Sequence, residues 1–141
     1  MEYLDNGDSC QIQHIPVLLR KLRRLAGVIR QLNGYRFYTS SLLVIYDGDN
    51  DSKRKIDIRM IDFDHCVSAN EIREHGDKMT YPPTHDGPDK GYLLGLKTLV
   101  HCFEWIYRTH GGDISDIEVV EGEDVFHGIG DNSSPLGDDQ I

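Results

Sequence analysis

The chain has 141 residues, 38% of them hydrophobic and 28% charged, and a formal net charge of −9. That length allows one domain with a real core, and no apolar stretch approaches the roughly 18 residues of a membrane span. The acidity is local. Residues 111–141 hold nine acids and no Lys or Arg, while residues 1–110 hold fifteen of each sign, so the charge of the body excludes no anionic ligand.

Residues 1–14 show no period and read as a loop or lead-in, without the apolar run of a signal peptide. "IPVLLRKLRRLAGVIRQLNG" then places Ile15, Leu18, Leu19, Leu22, Leu25, Ala26, Ile29 and Leu32 on one face of a helix. Pro16 suits its first turn and Gly34 its end. Much of Arg20, Lys21, Arg23, Arg24 and Arg30 falls on the opposite face. It is either a solvated surface or a platform for phosphates.

"YRFYTSSLLVIYDGD" and "KIDIRMIDF" are β-prone runs joined by polar turn residues, which predicts an antiparallel hairpin. Pairing Tyr46 with Asp57 sets a trial register that puts Ser41, Leu43, Ile45, Ile58, Met60 and Asp62 on one face, with Ser41 opposite Asp62. Residues 64–90 read as a long polar connection. A second helix follows in "DKGYLLGLKTLVHCFEWIYRTHGG", with Asp89 as N-cap, Gly111-Gly112 as stop, and a stripe of Leu93, Leu96, Leu99, Val100, Phe103, Ile106 and Tyr107. Residues 111–141 read as a disordered acidic tail, in which "IEVV" has the composition of a short edge strand.

An aspartate at a strand end suits Mg²⁺, which takes one or two carboxylates together with phosphate oxygens. Aspartate is also common in turns, so the local pattern alone favours a turn cap for Asp62. His65-Cys66 and His101-Cys102 lack the paired spacing of structural zinc, and no EF-hand, P-loop, nucleophile-elbow or dinucleotide signature occurs. Three cysteines, Cys10, Cys66 and Cys102, with no C-x-x-C point to an intracellular compartment, cytoplasm or nucleus.

Three stretches in order, "YRFYTSSLLVIYDG", "IDIRMIDFDH" and "GPDKGYLLGLKTLV", resemble the inositol polyphosphate kinase family, most closely its inositol hexakisphosphate kinase branch. The resemblance covers about residues 12–108. It implies an α+β fold, the C-terminal lobe of a protein-kinase-like inositol polyphosphate kinase, over residues 1–110, with a β-hairpin packed on helices. It also implies ATP and Mg²⁺ as cofactors and a highly phosphorylated inositol as substrate. The chain is expected to be a monomer with no nucleic-acid partner.

Ser41-Leu42-Leu43 matches the family's S-L-L segment and Ile61-Asp62-Phe63 its I-D-F segment. That makes Asp62 the metal ligand by resemblance, Ser41 its neighbour in the catalytic and cofactor site, and Arg20, Lys21, Arg23 and Arg24 candidates for screening substrate charge. Two departures stand out. Alanine usually follows I-D-F, whereas here it is Asp64, and no P-x-x-x-D-x-K-x-G segment occurs anywhere. The chain is therefore expected to be a truncated C-terminal part. A non-catalytic lobe that binds inositol phosphate or protein, or a kinase for lower inositol phosphates, are the alternatives.

Overall fold

The computed structural model describes residues 2–79, 87–117 and 124–130. Its principal elements are α1 (Ile15–Gln31), β1 (Ser41–Ile45), β2 (Asp57–Ile61), α2 (Ala69–His75) and α3 (Lys90–Thr109), an α+β arrangement in which α1 packs on α3 and on β2. No helix among the described residues is long and apolar enough to cross a membrane.

The two long helices follow their apolar periods. In α1, Ile15, Leu18, Leu19, Leu22, Ala26 and Ile29 are buried, Pro16 lies in the first turn, and Gly34 at φ +78° follows the last turn, a conformation that suits glycine. In α3, Leu93, Leu96, Val100 and Tyr107 are buried, and Asp89 caps the helix by accepting from Tyr92 N. Each helix buries a single stripe, so the core forms where the two stripes meet.

The hairpin departs from the trial register by one residue. The observed pairs are Ser41–Ile61, Leu42–Met60, Leu43–Arg59, Val44–Ile58 and Ile45–Asp57. Leu42, Val44, Ile58 and Met60 therefore lie against the core, while Leu43, Ile45 and Ile61 are exposed with Ser41 and Arg59. A one-residue slip turns a strand over. It is invisible in β1 because "LLVI" offers apolar residues to both faces.

Lys21 fixes the start of β2. Its ammonium donates to Ile56 O at 2.8 Å and to Asp57 Oδ1 at 3.1 Å. This contact and the Ile58 N–H hold the Asp57 carboxyl below the usual carboxylate range. A carboxylate with a depressed folded value adds stability above its unfolded value of about 3.9, and that contribution disappears as pH falls through the folded value. Thermal melts between pH 6 and pH 2.5 should show an acid limb that is shallower in Lys21→Met. An unchanged limb would mean that the pair contributes nothing to acid sensitivity.

The described parts of three stretches read as loop or tail carry structure. Within residues 1–14, Leu4 and Gln11 are buried, Asp5 pairs with Cys10, and Asn6 Nδ2 and Gln11 Nε2 donate to Gly48 O and Asn50 Oδ1 at 2.6 and 2.7 Å. Within 64–90, Ser68 and Glu71 form a reciprocal capping box that starts α2. Beyond residue 110, Ile117, Phe126 and Ile129 join the core. Arg30 donates to Val125 O and His127 O at 2.9 Å, and Lys97 to Ile129 O at 2.6 Å. Apart from Ile117, the "IEVV" segment lies outside the described residues.

Candidate functional site

Past the Ser41–Ile61 pair the ladder opens, and it closes again at an isolated antiparallel bridge between Arg36 and Val67. Residues 37–40 and 62–66 thus form two unladdered arms fastened at both ends. Each arm holds one non-glycine residue with positive φ, Thr39 at 57° and Asp62 at 63°. Left-handed backbone is tolerated by aspartate but is unusual for a β-branched threonine, and such outliers cluster at functional sites.

The register changes the expected relation of Ser41 to Asp62. Ser41 pairs with Ile61, and Asp62 has already left the ladder, so the two are not cross-strand partners. They still share one end of the hairpin. The turn at Asp62 leaves Asp62, Phe63, Asp64 and His65 all exposed. Had Asp62 continued β2, its side chain would lie on the inward face with Ile58 and Met60.

Cys66 closes this arm. Its N–H donates to Phe63 O at 3.0 Å, and its Sγ lies 4.0 Å from Tyr38 O on the opposite arm. Burial pushes the Cys66 thiol up from its ordinary value, with the charges of Asp62 and Asp89 adding to the shift. The Tyr92 hydroxyl is likewise raised, first by burial and then by Asp89 and Cys66. Asp89 accepts from Phe37 N and Tyr92 N at 2.9 Å each, so its carboxylate sits where the first open arm meets α3.

Among the described residues, no three His, Cys, Asp or Glu side chains converge to hold a metal by themselves. The site offers instead an outward carboxylate in an exposed turn, which matches a hard cation that also takes phosphate oxygens and water.

The four candidate phosphate-screening residues of α1, Arg20, Lys21, Arg23 and Arg24, divide into two pairs. Lys21 is tied to β2, and Arg23 forms an ion pair with Glu104 of α3. Arg20 and Arg24, four residues apart, are the exposed pair. Sequence reasoning overlooked Arg36, one of the few buried polar residues at 7% exposure. No periodic signal marks it, because its role depends on partners 31 and 51 positions away.

A family model described as inositol polyphosphate kinase matches residues 1–104. The chain belongs to the inositol polyphosphate kinase family. It is 42% identical to an uncharacterized inositol polyphosphate kinase of Schizosaccharomyces pombe, over 79% of this chain and 13% of that protein. It is 36% identical to inositol hexakisphosphate kinase 3 of Homo sapiens, over 73% of this chain and 29% of that one. It is also 36% identical to inositol hexakisphosphate kinase 1 of Saccharomyces cerevisiae, over 94% and 14% respectively. The chain thus spans less than a third of the length of these relatives. No solved structure matches it. The family match includes both arms of the open ladder and α3 as far as Glu104.

Proposed function

We propose that this chain carries the metal-binding part of an inositol hexakisphosphate kinase-like enzyme. The reaction transfers the γ-phosphoryl of ATP to a phosphate oxygen of a highly phosphorylated inositol, giving an inositol pyrophosphate and ADP. One observation carries the reading: the I-D-F aspartate, Asp62, leaves β2 in an exposed left-handed turn at the same end of the hairpin as the S-L-L serine, Ser41.

Asp62 would hold Mg²⁺, and Ser41 would lie beside it; the bound ion would neutralise and align the ATP phosphates. The chain's own contribution is otherwise positional and electrostatic. The substrate is a dense polyanion, so Arg20 and Arg24, the two exposed members of the basic face, are the stronger candidates for screening it. Asp64 adds a second carboxylate one position beyond the motif, and two acids so close favour a cation over a bare anion there. The free thiols Cys10, Cys66 and Cys102 support an intracellular setting.

A second reading is a non-catalytic lobe that binds inositol phosphate or a protein. It is favoured by the exposed outer face of the hairpin, where Leu43, Ile45 and Ile61 are 42%, 48% and 42% accessible.

Incubating the chain with ATP, Mg²⁺ and either inositol hexakisphosphate or a lower inositol phosphate separates the readings. A more phosphorylated product from the hexakisphosphate supports the kinase, and turnover of the lower phosphate alone reassigns the substrate. Calorimetric binding without turnover supports the binding lobe.

A further inference from the structure

We infer that Arg36 and Asp89 form a clasp that holds residues 37–40 and 62–66 in their open arrangement, making them positioning residues for the Asp62 turn. The inference rests on the metal reading of Asp62 only for its catalytic consequence. Its structural content stands on the hydrogen bonds alone.

Asp89 uses its two carboxylate oxygens in different directions. Oδ1 accepts from Tyr92 N at 2.9 Å and caps α3, while Oδ2 accepts from Phe37 N at 2.9 Å and ties the first open arm to that helix. Arg36, the residue before Phe37, donates from Nη1 to Gly87 O at 2.8 Å and to Tyr35 O at 2.9 Å. Gly34 N also donates to Gly87 O, at 3.1 Å. The chain just before the first arm is thereby fastened to the approach to α3 at several points.

The backbone of Arg36 extends the clasp to the second arm. Its N–H donates to Val67 O, and Val67 N donates to Arg36 O, both at 2.9 Å. Val67 ends the segment that begins at Asp62, so the arm carrying the carboxylate is anchored at Ile61 by the ladder and at Val67 by Arg36.

Both clasp side chains are almost fully buried, at 7% and 9% exposure. Buried groups of this kind persist only when their hydrogen bonds are made. A capping role explains Oδ1 of Asp89, but not the second oxygen or the buried guanidinium. A left-handed residue in an exposed turn needs surroundings that over-determine its backbone, and the two anchors supply that for Asp62.

The test compares amide hydrogen exchange in the wild type, Asp89→Ser and Arg36→Met. Serine keeps an acceptor for Tyr92 N, so α3 remains capped, but it does not reach Phe37 N. Methionine keeps an apolar stem and removes the donors to Gly87 O and Tyr35 O. Loss of one hydrogen bond to a charged group should speed exchange of the Arg36, Cys66 and Val67 amides by about tenfold, with β1–β2 ladder amides changing less than about twofold.

Equal acceleration at ladder and arms would show a role in global stability only, and no acceleration would show no clasp. Either result overturns the inference. If Arg36→Met does not fold, Asp89→Ser decides alone. Adding Mn²⁺ with ATP tests the catalytic consequence. Wild-type Asp62 should broaden in the amide spectrum, and Asp89→Ser should need several times more metal for the same effect. Absence of broadening in the wild type would remove the metal reading of Asp62 and leave the exchange pattern to judge the clasp.

Discussion

Asp62→Asn is expected to lower phosphorylation of the inositol phosphate by about 10³-fold, with little change in the melting midpoint. A metal-held phosphoryl transfer draws several kcal/mol of its barrier lowering from charge neutralisation, and about 4 kcal/mol corresponds to that factor. Asparagine suits the test for a backbone reason. Asp62 sits at φ +63°, and asparagine tolerates left-handed backbone about as well as aspartate. The exposed position adds little folding cost, within about 0.5 kcal/mol.

Alanine would confound charge with conformation, since it accepts the left-handed region at a cost of roughly 1–2 kcal/mol. Activity of Asp62→Asn at more than a tenth of the wild type would reject Asp62 as the metal ligand. The same assay on Ser41→Ala separates its role. Ser41 pairs with Ile61 in the ladder, not with Asp62, so its loss should cost much less.

The sequence displays those parts of this molecule whose partners are local. The 3.6-residue stripe of α1 and α3, Pro16, Gly34 and the Asp89 cap all act within a few positions of themselves, and each lies where the pattern puts it. The hairpin was legible as a hairpin but not in register, because β1 is apolar on both faces and only contact with the core chooses between them. The deciding contacts come from α1, through Lys21 to Ile56 and Asp57.

The short helix α2 has no buried side chain and hence no stripe to read, although its Ser68–Glu71 capping box was present in the sequence. Val125, Phe126 and Ile129 are the few apolar residues in a stretch of glycines and acids. Composition argued for disorder there, yet Arg30 and Lys97 take the segment's backbone carbonyls from 32 to 97 positions away.

The candidate site shows the same division. Ser41 and Asp62 could be named as candidates from motif and chemistry, with Asp64 noted as a departure from the motif. What distinguishes Asp62 from an ordinary strand residue is its departure from the ladder, and that depends on Arg36, Val67 and Asp89, which come from three separate stretches. A one-dimensional pattern records the carboxylate but not the two anchors that turn it outward.

Leu22→Ala should be among the most destabilising single substitutions in the core, lowering stability by about 3–4 kcal/mol. Leu22 is fully buried in α1, and its two neighbours in sequence hold that turn on both sides. Lys21 is bonded to the start of β2 and Arg23 is paired with Glu104 on α3. The cost of removing a leucine depends on how far the surroundings collapse into the space. Here collapse would pull against both ties, so most of the cavity should persist.

Denaturant unfolding should show a lower midpoint with an unchanged slope, and the melting midpoint should fall by roughly 10 °C. Leu43→Ala is the control, because Leu43 lies on the outward face of β1 at 42% exposure and its truncation should cost well under half as much. A cost below about 1 kcal/mol for Leu22→Ala would contradict the account of α1 as the centre of the core. Similar costs for both variants would contradict the observed register, since that register is what places Leu42, rather than Leu43, toward α3 and the core.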